Sequence, residues 1–543
     1  MTADRSTAGT DRRRNPTPLG EAAPSGSAEP FPRLFSPLAV RGLTLPNRVV
    51  LTAMVTRLSG EDGLVNQPII DRYVRFARGG AGLIVVEATA VHQARSGPLL
   101  RLGEDRFLAG HRELVLRAHD AGPGKVALQI IHFLKIARSG WRQTIDMLGE
   151  EDLDAIVRDH ASAAVRAREA GYDAVELHMA HAYTLSSFLS RLNRRQGQHG
   201  GRSLESRLRL PTEVALAVRA AVGPDYPVGV RFDGEECVKG GYGLEDAAAI
   251  AVRLAGSGMD YVSLSAGGKF EDAQHRPGQV LYPYTGYSGD RTMPPAPYPD
   301  AANGYLADGV RRALRAAGLA TPVVASGKIP TPELAEETLA AGRADLVGMA
   351  RALLADPDWP LKARAGQRDR IVWCVYGNVC KALDETFHQV RCVLWPKDQL
   401  HAPEPGPADR AAPLWPAKAG LAVERRPGGH LALTWPAAEL PGSRVYGYEV
   451  FRATGGAPYR HLSTVSVTRH IDASALSGER YQYRVLAYGI GGWRSAPLDS
   501  QALDLVWQGP ALTDASTNGA ASAVVAGPGG HSITDPLPGG IPS

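Results

Sequence analysis

Within the run ELHMAHAYTLSSFLSRLNRR, two imidazoles and a phenol are spaced as His178-x-x-His181-x-Tyr183. The run begins with strand-like residues, so the array leaves a strand end into a loop, where three polar aromatic groups converge. Such a set can donate hydrogen bonds. A phenol with an ordinary pKa of about 10 can also hand over a proton, provided its neutral form is the working species. The plainer alternative is a pair of histidines one helical turn apart that cap a helix or bind adventitious metal, and the preceding strand argues against it. Arg231, inside the apolar run PVGVRF, is a second chemical residue. A cation in a buried strand is costly unless paired, which favours a functional reading over a structural ion pair.

The elements that must position these residues follow a βα repeat from Leu43 to about Leu354. Eight strand candidates are VVLTA from Val49, LIVVE from Leu83, KVALQI from Lys125, DAVELH from Asp173, PVGVRF from Pro227, DYVSLS from Asp260, TPVVAS from Thr321 and ADLVGM from Ala344. Helical stretches separate them, among them QPIIDRYVRFARGG and LEDAAAIAVRLAGSG, and several end in Gly, which suits a left-handed C-cap. Near-continuous apolar strands require a sheet covered on both faces, and eight βα units close a barrel. The expected fold class is α/β, a (β/α)8 TIM barrel with active-site residues at the C-terminal strand ends, followed by a smaller all-β domain.

The chain divides into a Ser-, Pro- and Gly-rich segment 1–32 expected to be disordered, the barrel at 33–400, a Pro- and Ala-rich linker at 401–420, a β-sandwich at 421–505 and a second disordered tail at 506–543. Its 60 basic and 56 acidic residues nearly cancel, which gives no footprint for nucleic acid. With 44% apolar residues and no long apolar run, no membrane association is expected. The N-terminus lacks the apolar region of a secretory signal, so the cytoplasm is the expected compartment. Four cysteines are too few for a disulfide scaffold, yet Cys374, Cys380 and Cys392 cluster.

The His178-x-x-His181-x-Tyr183 array on its strand end resembles the old yellow enzyme family, especially the branch that includes the 2,4-dienoyl-CoA reductases. The resemblance covers about residues 33 to 400 and begins at LFSPLAVRGLTLPNRVVLTAM. It implies an FMN-dependent oxidoreductase that uses NAD(P)H. In it His178 and His181 donate hydrogen bonds to a substrate oxygen and Tyr183 donates a proton. Hydride arriving at the β-carbon of an enone makes an enolate, so paired donors meet charge where it develops. The same resemblance assigns Ala53, Met54 and Ala88 to the flavin wall, Gln129 to the pyrimidine edge and Arg231 to the N1–O2 side, where a cation stabilises the reduced ring. Gly327, Lys328, Ala350 and Arg351, in ASGKIP and GMARALLADP, fall where such barrels bind phosphate.

Departures from the family are specific. Val55 replaces a residue that in relatives tunes the flavin. NRRQGQHGG puts Gly197 and His199 where relatives carry acidic and tyrosine residues. Gly377 stands where a second cluster cysteine is expected, so loss of a [4Fe–4S] centre is favoured over a site built from Cys374, Cys380 and Cys392. No dinucleotide fingerprint follows residue 400. Instead Trp435, Tyr448, Tyr483 and the ending YRVLAYGIGGWRSAP resemble a fibronectin type III domain, with Trp493 as a candidate contact for a protein partner.

The reading is reduction of an activated C=C in a small molecule. Two alternatives stay open: FMN-dependent oxidation or demethylation of an amine or biosynthetic intermediate, and a non-catalytic scaffold with a decayed barrel. Substrate identity, choice between NADH and NADPH, and assembly as a homo-oligomer stay open too.

Overall fold

The computed structural model describes residues 29–93, 97–135, 143–268, 289–296, 298–396, 398–426 and 430–505. The two segments expected to be disordered lie almost wholly outside these residues.

Eight parallel strands close a barrel: β1 Val49–Leu51, β2 Leu83–Ala90, β3 Lys125–Ile131, β4 Ala174–Met179, β5 Val228–Asp233, β6 Tyr261–Ser265, β7 Val323–Ala325 and β8 Leu346–Met349. Closure is made where β8 pairs with β1, Val347 opposite Val49. Each strand falls within or beside its expected run, because a strand buried on both faces shows in the sequence as an uninterrupted apolar stretch. The intervening helices cover the outside. The helix Gln67–Arg78 starts where the Asn66 side chain accepts the Ile69 N–H at 3.2 Å, a cap that contributes about 1 kcal/mol. Helices end on glycines in the left-handed region, as at Gly171 (φ +96°) and Gly258 (φ +91°), where a Cβ would be strained.

The two ends of the barrel differ. At the N-terminal end a hairpin, Leu38–Val40 with Leu43–Leu45, packs Val40 and Leu45 against the inward residues Val50, Leu83, Val85 and Ala127 and plugs the bottom. At the C-terminal end the inward positions turn polar. Register then decides which functional groups are neighbours: Gln129 on β3 lies opposite Glu176 on β4, and His178 on β4 opposite Arg231 on β5.

Beyond the barrel, two antiparallel sheets form the expected all-β domain. One holds β9 Ala422–Arg425, β10 Leu431–Thr434 and β13 Arg469–Asp472. The other holds β12 Arg460–Val465, β11 Val445–Thr454, β14 Glu479–Gly489 and β15 Leu498–Asp499, with β16 Leu503–Leu505 also paired to β14. Trp435 and Tyr448 meet at 5.6 Å between ring centroids in its core. The Tyr483 hydroxyl donates to the buried Asp472 carboxylate at 2.7 Å.

The segment 401–420 is packed: Trp415 stacks on Tyr448 at 6.0 Å and donates from Nε1 to the Ala496 carbonyl at 2.7 Å. The GIGGWR loop, whose Trp493 is a candidate partner contact, also touches the chain's own barrel extension, and Trp493 stays 41% exposed. Trp493 lies under the Arg370 guanidinium at 5.6 Å, and Gly492 (φ +75°) sits so close to the Arg370 carbonyl that a Cβ would come within 1.7 Å of it. Tyr446 and Tyr488 continue the barrel's core cluster into the sandwich. Among the described residues no helix is long and apolar enough to cross a membrane.

Candidate active site

An open-mouthed cavity sits at the C-terminal end of the barrel, where such barrels place their active sites. Unlike Cys374, Cys380 and Cys392, every barrel residue expected to touch flavin or substrate lines it, namely Ala53, Met54, Ala88, Gln129, His178, His181, Tyr183, Arg231, Gly327, Lys328, Ala350 and Arg351. These come from seven of the eight strands or the loops that follow them, which the register brings together.

The wall after β1 carries Ala53, Met54 and Val55 and is pinned where the Thr56 N–H donates to the buried Glu87 carboxylate. Glu87 is pushed up to about 7, first by burial. Ala88 follows at a register shift between β2 and β3, which breaks the ladder beside the cavity.

On the floor, Gln129 donates from Nε2 to Glu176 Oε1 at 2.7 Å. That bond orients the amide and leaves its carbonyl oxygen as an acceptor. Burial pushes the Glu176 carboxyl up and the Arg231 guanidinium down, and each group opposes the other's shift. Arg231 is 6% exposed, and its Nε and Nη1 have no hydrogen-bond partner among the described residues. Nη2 reaches the Ser265 hydroxyl at 3.5 Å. Glu176 was missed in the sequence, although a carboxylate in the apolar run DAVELH is the same signal that marks Arg231.

His178 is buried, and its Nδ1 accepts the Ala180 N–H at 3.1 Å, which leaves Nε2 as the protonated nitrogen. Burial, and then the nearby Arg231, lower its pKa to about 3, so the ring is neutral. His181 (φ +62°) and Ala182 (φ +56°) both adopt left-handed backbone, a strain held by the Asp233 carboxylate, which accepts the His181 N–H at 2.8 Å. His181 Nε2 is engaged with the Ser265 hydroxyl at 2.7 Å, so the two imidazoles are not equivalent.

Tyr183 sits against the His178 ring at 5.3 Å and beside an apolar wall of Val55, Phe133 and Leu99. Its pKa is pushed up to about 12, first by burial and then by Asp384, with Arg57 opposing. Val55 therefore adds apolar surface where relatives are expected to place a polar group. The backbone after Tyr183 is held where the Thr184 N–H donates to the His132 carbonyl at 3.3 Å, and His132 Nδ1 lies 2.9 Å from the Thr184 hydroxyl.

At the far end, Gly327 (φ +107°) lies so close to Asn303 that a Cβ would come within 2.6 Å of its side-chain nitrogen, so only glycine fits. Lys328 and Arg351 both line this end. Arg351 donates from Nη1 to the Pro294 carbonyl at 2.8 Å and to Asn378 Oδ1 at 2.6 Å.

Two departures have a local outcome. The NRRQGQHGG loop is anchored by Arg195, which donates to the Ile145 carbonyl at 3.0 Å, and by His199 against Glu213 at 3.0 Å. Cys374, Cys380 and Cys392 are free thiols, each raised by burial, Cys380 to about 11. Gly377 brings no side chain to the position where a further cluster thiolate is expected, and no group of three or more candidate metal ligands is found among the described residues.

The sequence matches the NADH:flavin oxidoreductase / NADH oxidase family over residues 33–280 and 312–370, more than half of the chain. The chain belongs to this family. Like other family members, it is similar to the NADH oxidase of Thermoanaerobacter brockii, 34% identical over 382 residues that make up 66% of this chain and 55% of that one. It is also similar to the NADPH dehydrogenase of Halalkalibacterium halodurans, 34% identical over 61% of this chain and 94% of that one. Among solved structures, a 2-naphthoyl-CoA reductase superposes with a TM-score of 0.59 over 72% of this chain and 60% of that one, at 23% identity, which shows the shared fold. The chain spans about half the length of the longer relatives it matches.

For a family member the resident cofactor is FMN, and the cavity fits it. Two orphaned guanidinium donors on Arg231 suit the electron-rich edge of a flavin, the oriented Gln129 amide suits a ring edge with both donor and acceptor, and Lys328 with Arg351 suits a phosphate.

Proposed function

We propose that the chain is an FMN-dependent NAD(P)H oxidoreductase that reduces an activated C=C in a small molecule. The observation that carries this reading is Arg231, a buried cation with two unpartnered donors on the floor of a cavity that also holds His178, His181 and Tyr183. Bound FMN supplies the two-electron chemistry between nicotinamide and acceptor. Arg231, Gln129, Gly327, Lys328 and Arg351 would hold it.

The chain's own residues supply the rest. His178, neutral and protonated on Nε2, donates to the acceptor's carbonyl oxygen and stabilises the negative charge that gathers there. His181, fixed by Asp233 and Ser265, completes that side of the pocket. Tyr183 keeps its proton at neutral pH, because burial and Asp384 disfavour the phenolate, and delivers it to the α-carbon as the general acid. The apolar wall of Val55, Leu99 and Phe133 limits water near that transfer.

In Tyr183→Phe, reduction of the enzyme by NAD(P)H should keep the native rate, while reoxidation by 2-cyclohexenone slows by about 10²- to 10⁴-fold. Equal loss in both half-reactions, measured by stopped-flow absorbance, would remove Tyr183 from this role.

A second reading reverses the electron flow, with an amine as donor. Asp384 and Glu385 favour it, because both carboxylates line the cavity. Each is already matched by a cation, Arg57 at 2.8 Å and Lys381 at 2.9 Å, so the mouth offers an amine little net charge. Anaerobic bleaching by dimethylglycine but not by NADH or NADPH would select this reading. The two-sheet domain is read as fibronectin type III-like from its antiparallel three- and five-stranded sheets and its Trp435–Tyr448 core, and it is given no chemical role.

A further inference from the structure

Tyr376 lies in the cysteine segment WCVYGNVC, and no motif marks it. Its ring is buried, at 8% exposure, and lines the cavity. It lies within cation–π reach of both cations at the phosphate end: Arg351 Cζ stands 4.7 Å and Lys328 Nζ 5.4 Å from the ring centroid. Lys328 donates to the Ala296 carbonyl at 2.8 Å and pairs with Asp300 at 3.4 Å; burial lowers its pKa, Asp300 opposes that shift, and Arg351 adds a smaller repulsion between the two cations. An aromatic face within reach of both offsets that repulsion.

The backbone around the ring is built for the placement. Tyr376 (φ +49°) and Asn378 (φ +55°) are non-glycine residues in the left-handed region, a conformation that persists only where the surroundings hold it. Here the Tyr376 N–H donates to Cys374 Sγ at 3.4 Å and the Tyr376 carbonyl accepts the Ala296 N–H at 3.1 Å. Asn378 Oδ1 accepts from Arg351 at 2.6 Å, while its Nδ2 donates to the Met293 carbonyl at 2.7 Å. The segment that resembles a cluster loop is thus tied through side chains to the cations of the cofactor cavity.

We propose that Tyr376, together with Asn378, is a positioning residue that holds Arg351 and Lys328 in place to bind the phosphate of FMN. The proposal rests on the FMN reading above. It separates the phosphate end from the ring end, so it concerns FMN and not riboflavin, which carries the same ring without the phosphate.

The test is a fluorescence titration of the flavin-stripped full-length chain with FMN and, separately, with riboflavin, for the native protein, Tyr376→Leu and Tyr376→Phe. Leu fills space without an aromatic face; Phe keeps the face. Tyr376→Leu should weaken FMN about tenfold while riboflavin changes by less than about twofold, and Tyr376→Phe should match the native protein for both. Parallel loss of both flavins in Tyr376→Leu would reduce the ring to packing, and unchanged FMN affinity would show that Arg351 needs no ring; either result overturns the proposal. If the native chain takes up neither flavin, the FMN reading itself falls and takes this one with it.

Discussion

Two arginines in this chain, Arg494 half-buried and Arg231 buried, have opposite surroundings. Arg494, beside the sandwich strand β14, faces Glu449 with both Nε and Nη2, the latter at 2.9 Å, and the carboxylate is only 1% exposed. Arg231 in the barrel is at least as buried, yet its Nε and Nη1 have no partner and its Nη2 reaches only a hydroxyl at 3.5 Å. A bidentate carboxylate closes one cation; the other is left with donors to spare beside a cavity. Buried polar groups in folded proteins are nearly always satisfied, so the first arrangement reads as structure and the second as a place kept for a ligand. In the sandwich Asp472 is closed in the same way, by Arg452 at 2.8 Å and the Tyr483 hydroxyl at 2.7 Å.

Breaking the closed pair should cost the most stability. Arg494→Met strands Glu449 and should destabilise the chain by about 3 kcal/mol in urea titrations without changing flavin content. Recovery in Arg494→Met/Glu449→Leu would confirm that the stranded charge carries the cost. Arg231→Met is the counterpart at the open site. It should lower FMN affinity by about ten- to a hundredfold, since each charge-assisted hydrogen bond contributes about 1.5–3 kcal/mol, while the flavin-free chain melts close to the native temperature. A variant that melts far earlier but still binds FMN tightly would make Arg231 another structural cation.

Glu176→Gln sharpens the contrast further by removing the one carboxylate that partly offsets Arg231. The uncompensated cation should raise the midpoint potential of the bound flavin, by on the order of 30 mV for each ~1.4 kcal/mol of added stabilisation. No change in potential would mean that Glu176 already holds a proton in the native protein.

The smallest effect is a flat one. With His178 near 3 and Tyr183 near 12, neither group changes charge between about pH 5 and 9, so the rate of proton delivery in the oxidative half-reaction should be constant there. A limb near pH 6.5 would show His178 titrating. The same depression has a stability sign. A histidine whose folded pKa lies below its unfolded value contributes stability above about pH 6.5 and loses it as pH falls. His111 and His160, both near 4, add to His178, so the melting temperature should drop between pH 6.5 and 4.

The barrel was legible in the sequence because its strands are buried on both faces and show as apolar runs, and because its helices end at glycines such as Gly171. The lining of the cavity was legible through Gln129, His178, His181, Tyr183, Arg231 and Arg351, all of which meet there. What the sequence hid was pairing. Nothing in ELHMAH says that Glu176 turns the Gln129 amide, that Asp233 holds His181 in a left-handed conformation, or that Ser265 occupies one imidazole nitrogen; these depend on register between strands far apart in the chain. Tyr376 was hidden for another reason: it sits in a segment that reads as a cysteine motif. The contact of the GIGGWR loop with Arg370 was hidden too, because that residue lies more than a hundred positions earlier in the chain.

The barrel cavity is expected to hold FMN and to cycle it between its oxidised and reduced forms. The most direct measurement is the visible absorption spectrum of the purified chain, recorded with FMN present and again after anaerobic addition of NADH or NADPH. The account requires a bound-flavin spectrum that bleaches on reduction and returns when 2-cyclohexenone is added. A chain that takes up no flavin, or binds flavin that no nicotinamide reduces, would contradict it and favour a barrel kept for binding alone.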